Sequence, residues 1–225
     1  MIKSFSPSIN IINNNIDFSQ YIVTPNVQNA FDTIIANYQQ GIRSFNLIGA
    51  YGTGKSTFLS AFESQLNEEN IFEGKTSWKR FDKFETIKIV GDYCSLLDLL
   101  SEDLGCSRRP KDILDSLDSV IKKHNTQGQG LLLIIDEFGK FLEYAAKNDP
   151  EIELYFLQQL AEFANDVENE FLLITTLHQD FSAYAANLTK AQRNEWVKVK
   201  GRFKEISFNE PVEQLIYLAS QRLHE

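Results

Sequence analysis

The sequence predicts a three-layer α/β fold, with a parallel sheet that carries helices on both faces. Short strand-like runs alternate along the chain with longer stretches whose apolar residues recur at helical spacing. The run 131–135 is apolar at every position, which is typical of a strand buried on both faces of a parallel sheet. Because crossovers between parallel strands are right-handed, we expect the connecting helices to cover both faces.

The first predicted elements are a helix, a strand and a second helix. Thr24 precedes Pro25, an arrangement typical of a helix N-terminus, and Gly41 ends the apolar periodicity that follows. Residues 44–48 predict a short strand that runs into a glycine-rich loop. The second helix is expected over residues 55–67.

The rest of the chain continues the alternation. The expected elements are a strand over 84–90, helices over 96–104 and 112–123, a loop over 125–130, the strand 131–135, a long helix after Pro150, a strand over 171–176, a polar helical region, a strand over 203–208 and a final helix after Pro211. Strands joined by helices in this way indicate βαβ units and a parallel sheet.

Composition and charge argue against several classes of protein. The chain has 225 residues, with 22 Lys and Arg against 31 Asp and Glu, and a formal net charge of −9. This acidic balance argues against a protein that coats nucleic acid. Two cysteines, Cys94 and Cys106, are too few for a disulfide scaffold or a Cys-rich zinc site. The sequence shows no apolar run long enough for a membrane span and no secretion signal, so we expect a cytoplasmic protein.

The loop after the first strand matches a phosphate-binding motif in full. Residues 49–56 read GAYGTGKS, which satisfies G-x-x-x-x-G-K-[ST]. In such a loop, backbone N–H groups and the N-terminus of the next helix surround phosphate oxygens, and glycines permit close approach. Lys55 would reach the β- and γ-phosphates, and Ser56 would ligate Mg²⁺. The predicted nucleotide-binding residues are Gly49, Ala50, Tyr51, Gly52, Thr53, Gly54, Lys55, Ser56 and Thr57.

An acidic pair follows the apolar strand 131–135. A strand that ends in an acid is the Walker B pattern, in which Asp136 would hold the Mg²⁺ shell and Glu137 would polarise the water that attacks the γ-phosphate. Residues 136–139 also satisfy the D-x-x-G pattern of GTPases. We favour ATP because the sequence contains no N-K-x-D guanine-reading segment and because Glu137 accounts for hydrolysis.

The strand over 171–176 ends where a γ-phosphate sensor would lie. Thr176 is the first candidate for this sensor, followed by Thr175 and His178. The alternative is a capping pair of threonines beside an exposed histidine.

A basic segment spans residues 190–204. Its single acid is Glu195, and its basic residues are Lys190, Arg193, Lys198, Lys200, Arg202 and Lys204. A solvated helix face is the usual interpretation of such a run. Two functional interpretations stay open: an arginine finger with a positive face turned toward a neighbour's nucleotide, or a contact with nucleic acid.

Together these motifs resemble those of the additional-strand ATPases and, among them, the AAA+ superfamily, over roughly residues 20–210. The resemblance implies the sheet order 5-1-4-3-2, with Walker A after the first strand and Walker B after the third. It places sensor 1 at Thr175 or Thr176, where Asn is commoner, and packs adenine against residues 21–23. It also implies that Arg202 reaches a γ-phosphate bound in the adjacent subunit.

The AAA+ resemblance also implies a helical lid with a sensor 2 arginine after the core. Residues 211–225 match only the start of such a lid, and we expect a fragment of a longer protein or a module without its lid. The apolar residues of this stretch, Leu215, Ile216 and Leu218, favour a fragment because they need covering. We divide the chain into a segment of unknown role (1–20), an ATPase core (21–210) and the start of a lid (211–225).

Three functions remain candidates from the sequence. The first is an AAA+-like module that binds ATP and Mg²⁺ and couples hydrolysis to conformational change or assembly, with self-association through the ATP site. The second is a slow, nucleotide-dependent oligomerisation switch. The third is a motor subunit that acts on nucleic acid, since residues 136–143 and 177–181 are similar to ATPase regions of large bacterial defence and nucleic-acid-processing proteins. Protein partners are a further candidate, and no membrane association is expected.

Overall fold

The computed structural model describes residues 11–12, 18, 21–67, 70–74, 83–166, 168, 170–186 and 188–209. The elements in this part of the chain are, in order, α1 (Pro25–Gln39), β1 (Ser44–Ile48), α2 (Lys55–Leu66), β2 (Lys83–Val90), α3 (Leu96–Leu104), α4 (Pro110–Asn125), β3 (Gln129–Asp136), α5 (Gly139–Lys147), α6 (Pro150–Ala164), β4 (Phe171–Leu177), a 3₁₀ helix (Phe181–Ala185), α7 (Lys190–Lys200) and β5 (Lys204–Ser207). Within these ranges, no helix combines the length and the apolarity that a membrane crossing needs.

The five described strands form one parallel sheet in the order β2-β3-β4-β1-β5. Read from the other side, this order is 5-1-4-3-2, which confirms the predicted topology. Strand β1 lies between β4 and β5, so that Asn46 pairs with Thr175 on one side and with Glu205 on the other. Because the strands are parallel, the carboxyl ends of β1, β3 and β4 meet at the same edge.

Alternate side chains of the central strands enter two hydrophobic cores on opposite faces of the sheet. Leu133 and Ile135 pack with residues of α3, α4, α5, α6 and α7. Leu132 and Ile134 pack with residues of α1 and α2 on the other face. The apolar run of β3 is therefore buried on both faces, and the three-layer α/β fold is confirmed.

Local polar groups explain where several helices begin. The hydroxyl of Thr24 accepts a hydrogen bond from the N–H of Val27 at 3.2 Å, ahead of Pro25 in the first turn of α1. Thr189 and Gln192 form a reciprocal capping box at the start of α7. Such caps satisfy N–H groups that lack a partner within the helix.

Within the described residues, the structure adds one helix to the sequence prediction, lengthens β2, β3 and β4, and shortens the strand predicted over 203–208 to β5. Helix α5 was not predicted, because it begins without a side-chain cap and its first residue is Gly139. Strand β3 begins at Gln129 and includes Gly130, which was expected in a loop. A Cβ at Gly130 would lie 2.6 Å from the Phe84 ring, so close packing accounts for glycine inside this strand. The predicted lid helix after Pro211 lies outside the described residues.

Candidate nucleotide-binding site

The predicted phosphate-binding loop lies between the end of β1 and the start of α2. Gly52 and Gly54 have φ values of 77° and 87°, in the left-handed region that glycine adopts readily. Gly49 is required for a different reason, since a Cβ there would lie 2.1 Å from the carbonyl oxygen of Phe208. The loop is therefore held against the chain that follows β5.

Lys55 is buried, and its side chain folds back into the loop. Its Nζ donates hydrogen bonds to the carbonyl oxygens of Gly49 at 2.6 Å and of Ala50 at 2.8 Å. Burial lowers the pKa of Lys55, while the carboxylates of Asp136 and Glu137 act in the opposite direction. A buried cation with two acidic neighbours is thus present where the motif predicts contact with phosphate.

The two predicted metal-ligating residues, Ser56 and Asp136, meet at the carboxyl edge of the sheet. The Ser56 hydroxyl donates to Asp136 Oδ2 at 2.7 Å, and the Thr176 hydroxyl donates to Asp136 Oδ1 at 2.5 Å. Hydroxyl and carboxylate oxygens fit the ligand preference of Mg²⁺. The described residues contain no cluster of three or more His, Cys, Asp or Glu suited to a metal. A cation held by Ser56 and Asp136 would therefore need ligands from phosphate or water.

Glu137 has a strained backbone that several contacts hold in place. Its φ is 52°, which is uncommon for a residue with a side chain. Its N–H donates to Asp136 Oδ1 at 3.0 Å and to Thr176 Oγ1 at 2.9 Å. Its carbonyl oxygen lies so near Gly91 that a Cβ there would be 2.1 Å away. The backbone is thus fixed, and its carboxylate forms an ion pair with Lys140 at 2.5 Å.

The two neighbouring threonines of β4 point to opposite faces of the sheet, as successive strand residues do. The Thr176 hydroxyl contacts both Asp136 and Glu137 in the candidate site. Thr175 instead donates to Asn46 and to the carbonyl oxygen of Phe45, between β4 and β1. The structure thus brings Thr176, but not Thr175, into the site.

His178 lies beside the phosphate-binding loop. Its ring stacks on that of Tyr51, with centroids 3.5 Å apart and planes at 21°. Both ring nitrogens are buried, and neither has a hydrogen-bond partner among the described residues. Burial lowers the pKa of His178, and the positive charge of Lys55 adds to this effect. The imidazole is therefore neutral at pH 7.

Three contacts of the site were missed by the sequence prediction. Asn209 Oδ1 accepts a hydrogen bond from the N–H of Ala50 at 3.2 Å, Gly91 packs against Glu137, and Lys140 pairs with Glu137. The Lys140 pair has i,i+3 spacing, so a helix prediction over α5 could have revealed it. Asn209 and Gly91 are distant in sequence from the residues they contact and carry no local signal.

Arg202 lies far from the phosphate-binding loop of its own chain. Its carbonyl oxygen accepts from the hydroxyl of Ser44, at the amino end of β1, whereas the loop follows the carboxyl end of that strand. The length of β1, about 13 Å, separates the two edges. The Arg202 guanidinium donates to Glu162 at 2.7 Å on the surface of the molecule.

Most basic side chains of the segment 190–204 have partners within the described chain. Lys198 pairs with Glu195 and Lys200 with Asp180. The Arg193 guanidinium donates to the carbonyl oxygen of Leu188. This segment is therefore largely a charge-compensated helix surface, which weakens the case for a contact with nucleic acid.

No protein-family model matches the chain, and no curated protein matches it. Solved structures are similar at the level of the fold. The Aeropyrum pernix ORC2 protein in its ADPNP-ADP complexes has a TM-score of 0.61 and 14% identity, covering 95% of this chain and 55% of that chain. Its ADP form has a TM-score of 0.56 and 17% identity, with the same coverage. C. elegans PCH-2 has a TM-score of 0.48 and 15% identity, covering 84% of this chain and 44% of that chain.

The fold and topology are those of a P-loop ATPase. More particularly, the chain has an AAA+-like fold, since the ORC2 protein is an AAA+ ATPase. The predicted resemblance to this superfamily is thereby confirmed for the fold. The chain spans about half the length of the solved structures that it matches.

Proposed function

We propose that the chain binds MgATP and hydrolyses it, as the nucleotide-binding module of an AAA+-like ATPase. The observation that carries this proposal is the convergence of two motifs that are distant in sequence. Ser56 of the phosphate-binding loop and Asp136 of the apolar strand are 80 positions apart, yet their side-chain oxygens lie 2.7 Å from each other. The nucleotide complexes of the ORC2 protein, which shares the fold, support the proposal.

The loop 49–57 would surround the phosphates with its N–H groups, aided by the N-terminus of α2. Lys55 would leave the carbonyl oxygens of Gly49 and Ala50 for the β- and γ-phosphates. Ser56 and Asp136 would hold Mg²⁺, which supplies positive charge against the phosphate oxygens when bound.

Glu137 is the proposed general base. Its carboxylate would orient the water for in-line attack on the γ-phosphate, and the fixed backbone would aim the side chain. Thr176 acts mainly as a positioning residue in this account. Its one hydroxyl proton is donated to Asp136, and its lone pair accepts from the N–H of Glu137, so the phosphate-sensing role expected for it would require that proton to leave Asp136.

Arg202 is the proposed arginine finger, acting on a second copy of the chain. Its place at the edge opposite the loop argues against a role at its own nucleotide. Such a role requires release from Glu162 and self-association of copies through the ATP site. The finger would stabilise charge on the transferred phosphoryl group.

A slow nucleotide-dependent switch is the second candidate. The ion pair between Glu137 and Lys140 favours it, because a paired carboxylate is less available to water. The turnover rate separates the two candidates: a switch assembles on binding ATP but turns over slowly. Turnover stimulated by DNA, with binding that falls steeply as salt rises, would instead favour a motor on nucleic acid.

Calorimetric titration with MgATP tests the proposal. The parent chain is expected to bind, and Lys55→Ala is expected to lose measurable binding because a buried phosphate contact is removed. Lys111→Ala serves as the control, since Lys111 is an exposed residue of α4 that pairs with Asp115. Absence of binding by the parent chain would refute the proposed function.

A further inference from the structure

Lys140 lies in the first turn of α5, three residues after Glu137. Its Nζ is 2.5 Å from Glu137 Oε2, and the side chains of Lys140 and Glu137 are 47% and 33% exposed. The hydrogen bond that Lys140 donates to Glu137 raises the pKa of Lys140, against a smaller effect of burial, and Asp92 and Tyr51 act in the raising direction. The ammonium is therefore charged.

The two partners of this ion pair differ in their freedom to move. The backbone of Glu137 is held by Asp136, Thr176 and the close approach of Gly91. Lys140 carries its charge on a flexible four-carbon stem. When the ion pair breaks, we therefore expect the ammonium of Lys140 to move while the backbone of Glu137 keeps its position.

The pair also blocks the role proposed for Glu137. A carboxylate that orients the attacking water lies one water molecule from the terminal phosphate. The ammonium of Lys140 touches that carboxylate, and its flexible stem would allow it to turn toward the same phosphate. The terminal phosphate carries more negative charge than one carboxylate and accepts charge-assisted hydrogen bonds from lysine.

We propose that Lys140 exchanges Glu137 for the terminal phosphate of bound ATP. The exchange frees the Glu137 carboxylate for water only when a hydrolysable phosphate is present. ADP lacks that phosphate and leaves the ion pair intact, so Lys140 distinguishes ATP from ADP. This inference rests on the proposed function of the site.

Binding of two probes, Mg-ADPNP and Mg-ADP, tests the exchange by calorimetry. Lys140→Met is expected to weaken ADPNP binding about tenfold, which is the order of one charge-assisted hydrogen bond, and to leave ADP binding within about twofold. Lys140→Arg is expected to retain most of the ADPNP affinity. Lys122→Met is the matched control, because Lys122 forms a similar surface pair with Asp118 on α4.

A second arm removes the other partner of the pair. In Glu137→Gln no ion pair has to be broken, so ADPNP is expected to bind several-fold more tightly than in the parent chain, with ADP unchanged. Adding Lys140→Met to Glu137→Gln is expected to abolish that gain. The coupling between the two substitutions then measures the exchange directly.

Several results would overturn the inference. One is that Lys140→Met loses ADPNP and ADP binding equally, and another is that it loses neither. A third is that Lys140→Met turns over faster with unchanged affinity, which would make Lys140 a simple restraint on Glu137. If Lys140→Met fails to fold, Lys140→Gln supplies the same comparison of ADPNP with ADP, with the same expected and contradicting results. A parent chain that binds neither probe would instead refute the proposed function.

Discussion

The Thr176 hydroxyl connects the two acidic residues of the candidate site. It donates to Asp136 and accepts from the N–H of Glu137, so one side chain orients a proposed metal ligand and the proposed base. A buried hydroxyl with both functions in use is costly to remove, because each partner loses a hydrogen bond. This contact makes Thr176 the clearest positioning residue of the site.

Thr176→Val is therefore expected to lower kcat about 10- to 100-fold, the range seen when a partner of a metal ligand is removed, with Thr176→Ser retaining most activity. Steady-state phosphate release is the measurement. Thr175→Val is the matched control, since the neighbouring hydroxyl bonds to Asn46 and Phe45 on the other face of the sheet. Equal losses in the two valine variants would contradict the assignment.

At the scale of single residues, motif spacing predicted those residues of the candidate site that belong to a recognisable sequence motif. Ser56 and Asp136 were expected together, and the structure does bring them together. The sequence left Thr175, Thr176 and His178 open as phosphate sensors. Which of these side chains points into the site depends on how β4 pairs with its neighbouring strands, and the sequence alone does not show this pairing. Lys140 escaped prediction because α5 has no start signal.

The elements build the site because the carboxyl ends of β1, β3 and β4 converge. The phosphate-binding loop extends from β1 and packs against the chain after β5, where Gly49 touches the Phe208 carbonyl. This contact needs a residue without a side chain, although Gly49 has no positive φ.

Gly49→Ala is expected to destabilise the chain by about 1–3 kcal/mol, the usual cost of overpacking, and to abolish nucleotide binding because the loop must move. Urea unfolding and MgATP titration are the measurements. Gly201→Ala is the control, since its Cβ would meet its nearest neighbour at 3.4 Å, an ordinary contact. A Gly49→Ala chain with parental stability and affinity would show that the loop is not held by the chain after β5.

Element prediction succeeded where periodicity or capping was strong. The apolar run of β3 and the Thr24-Pro25 start of α1 are correct. Element prediction failed where packing between elements that are distant in sequence determines the secondary structure. Gly130 reads as a loop residue, but it belongs to β3 because the Phe84 ring occupies the space a side chain would need.

At the scale of the whole molecule, Arg202 lies at the edge of the sheet opposite the candidate catalytic residues. The loop and Arg202 lie at opposite edges of one sheet, so a finger role demands a second copy. The sheet order was expected from the resemblance to AAA+ ATPases and is confirmed. Alternation alone predicted a parallel sheet but not its order, because strand order depends on contacts between distant segments.

Mixing two impaired variants tests action between copies. Arg202→Ala should bind ATP normally and lose about 10³-fold in turnover, the effect of an arginine finger, whereas Lys55→Ala should not bind ATP. Their mixture is expected to recover turnover, because Lys55→Ala copies supply Arg202 to intact sites. Arg109→Ala, which alters an exposed residue paired with Asp112, is the control. A mixture without recovery, or full turnover by Arg202→Ala alone, would contradict this role.

Self-association itself is expected to depend on the nucleotide. Sedimentation velocity of Glu137→Gln should show a larger species with MgATP than without it, because unhydrolysed ATP holds the copies together. A monomer in both conditions, with ATP bound, would contradict self-association of the chain through its ATP site.

A single-turnover experiment on the parent chain and Glu137→Gln tests the central claim most directly. Both should bind MgATP, but conversion of bound ATP to ADP should be at least about 10²-fold slower in the variant, as expected for loss of a general base. Glu143→Gln, on the exposed face of α5, should behave like the parent chain. Equal rates of hydrolysis in the parent chain and Glu137→Gln would contradict the account.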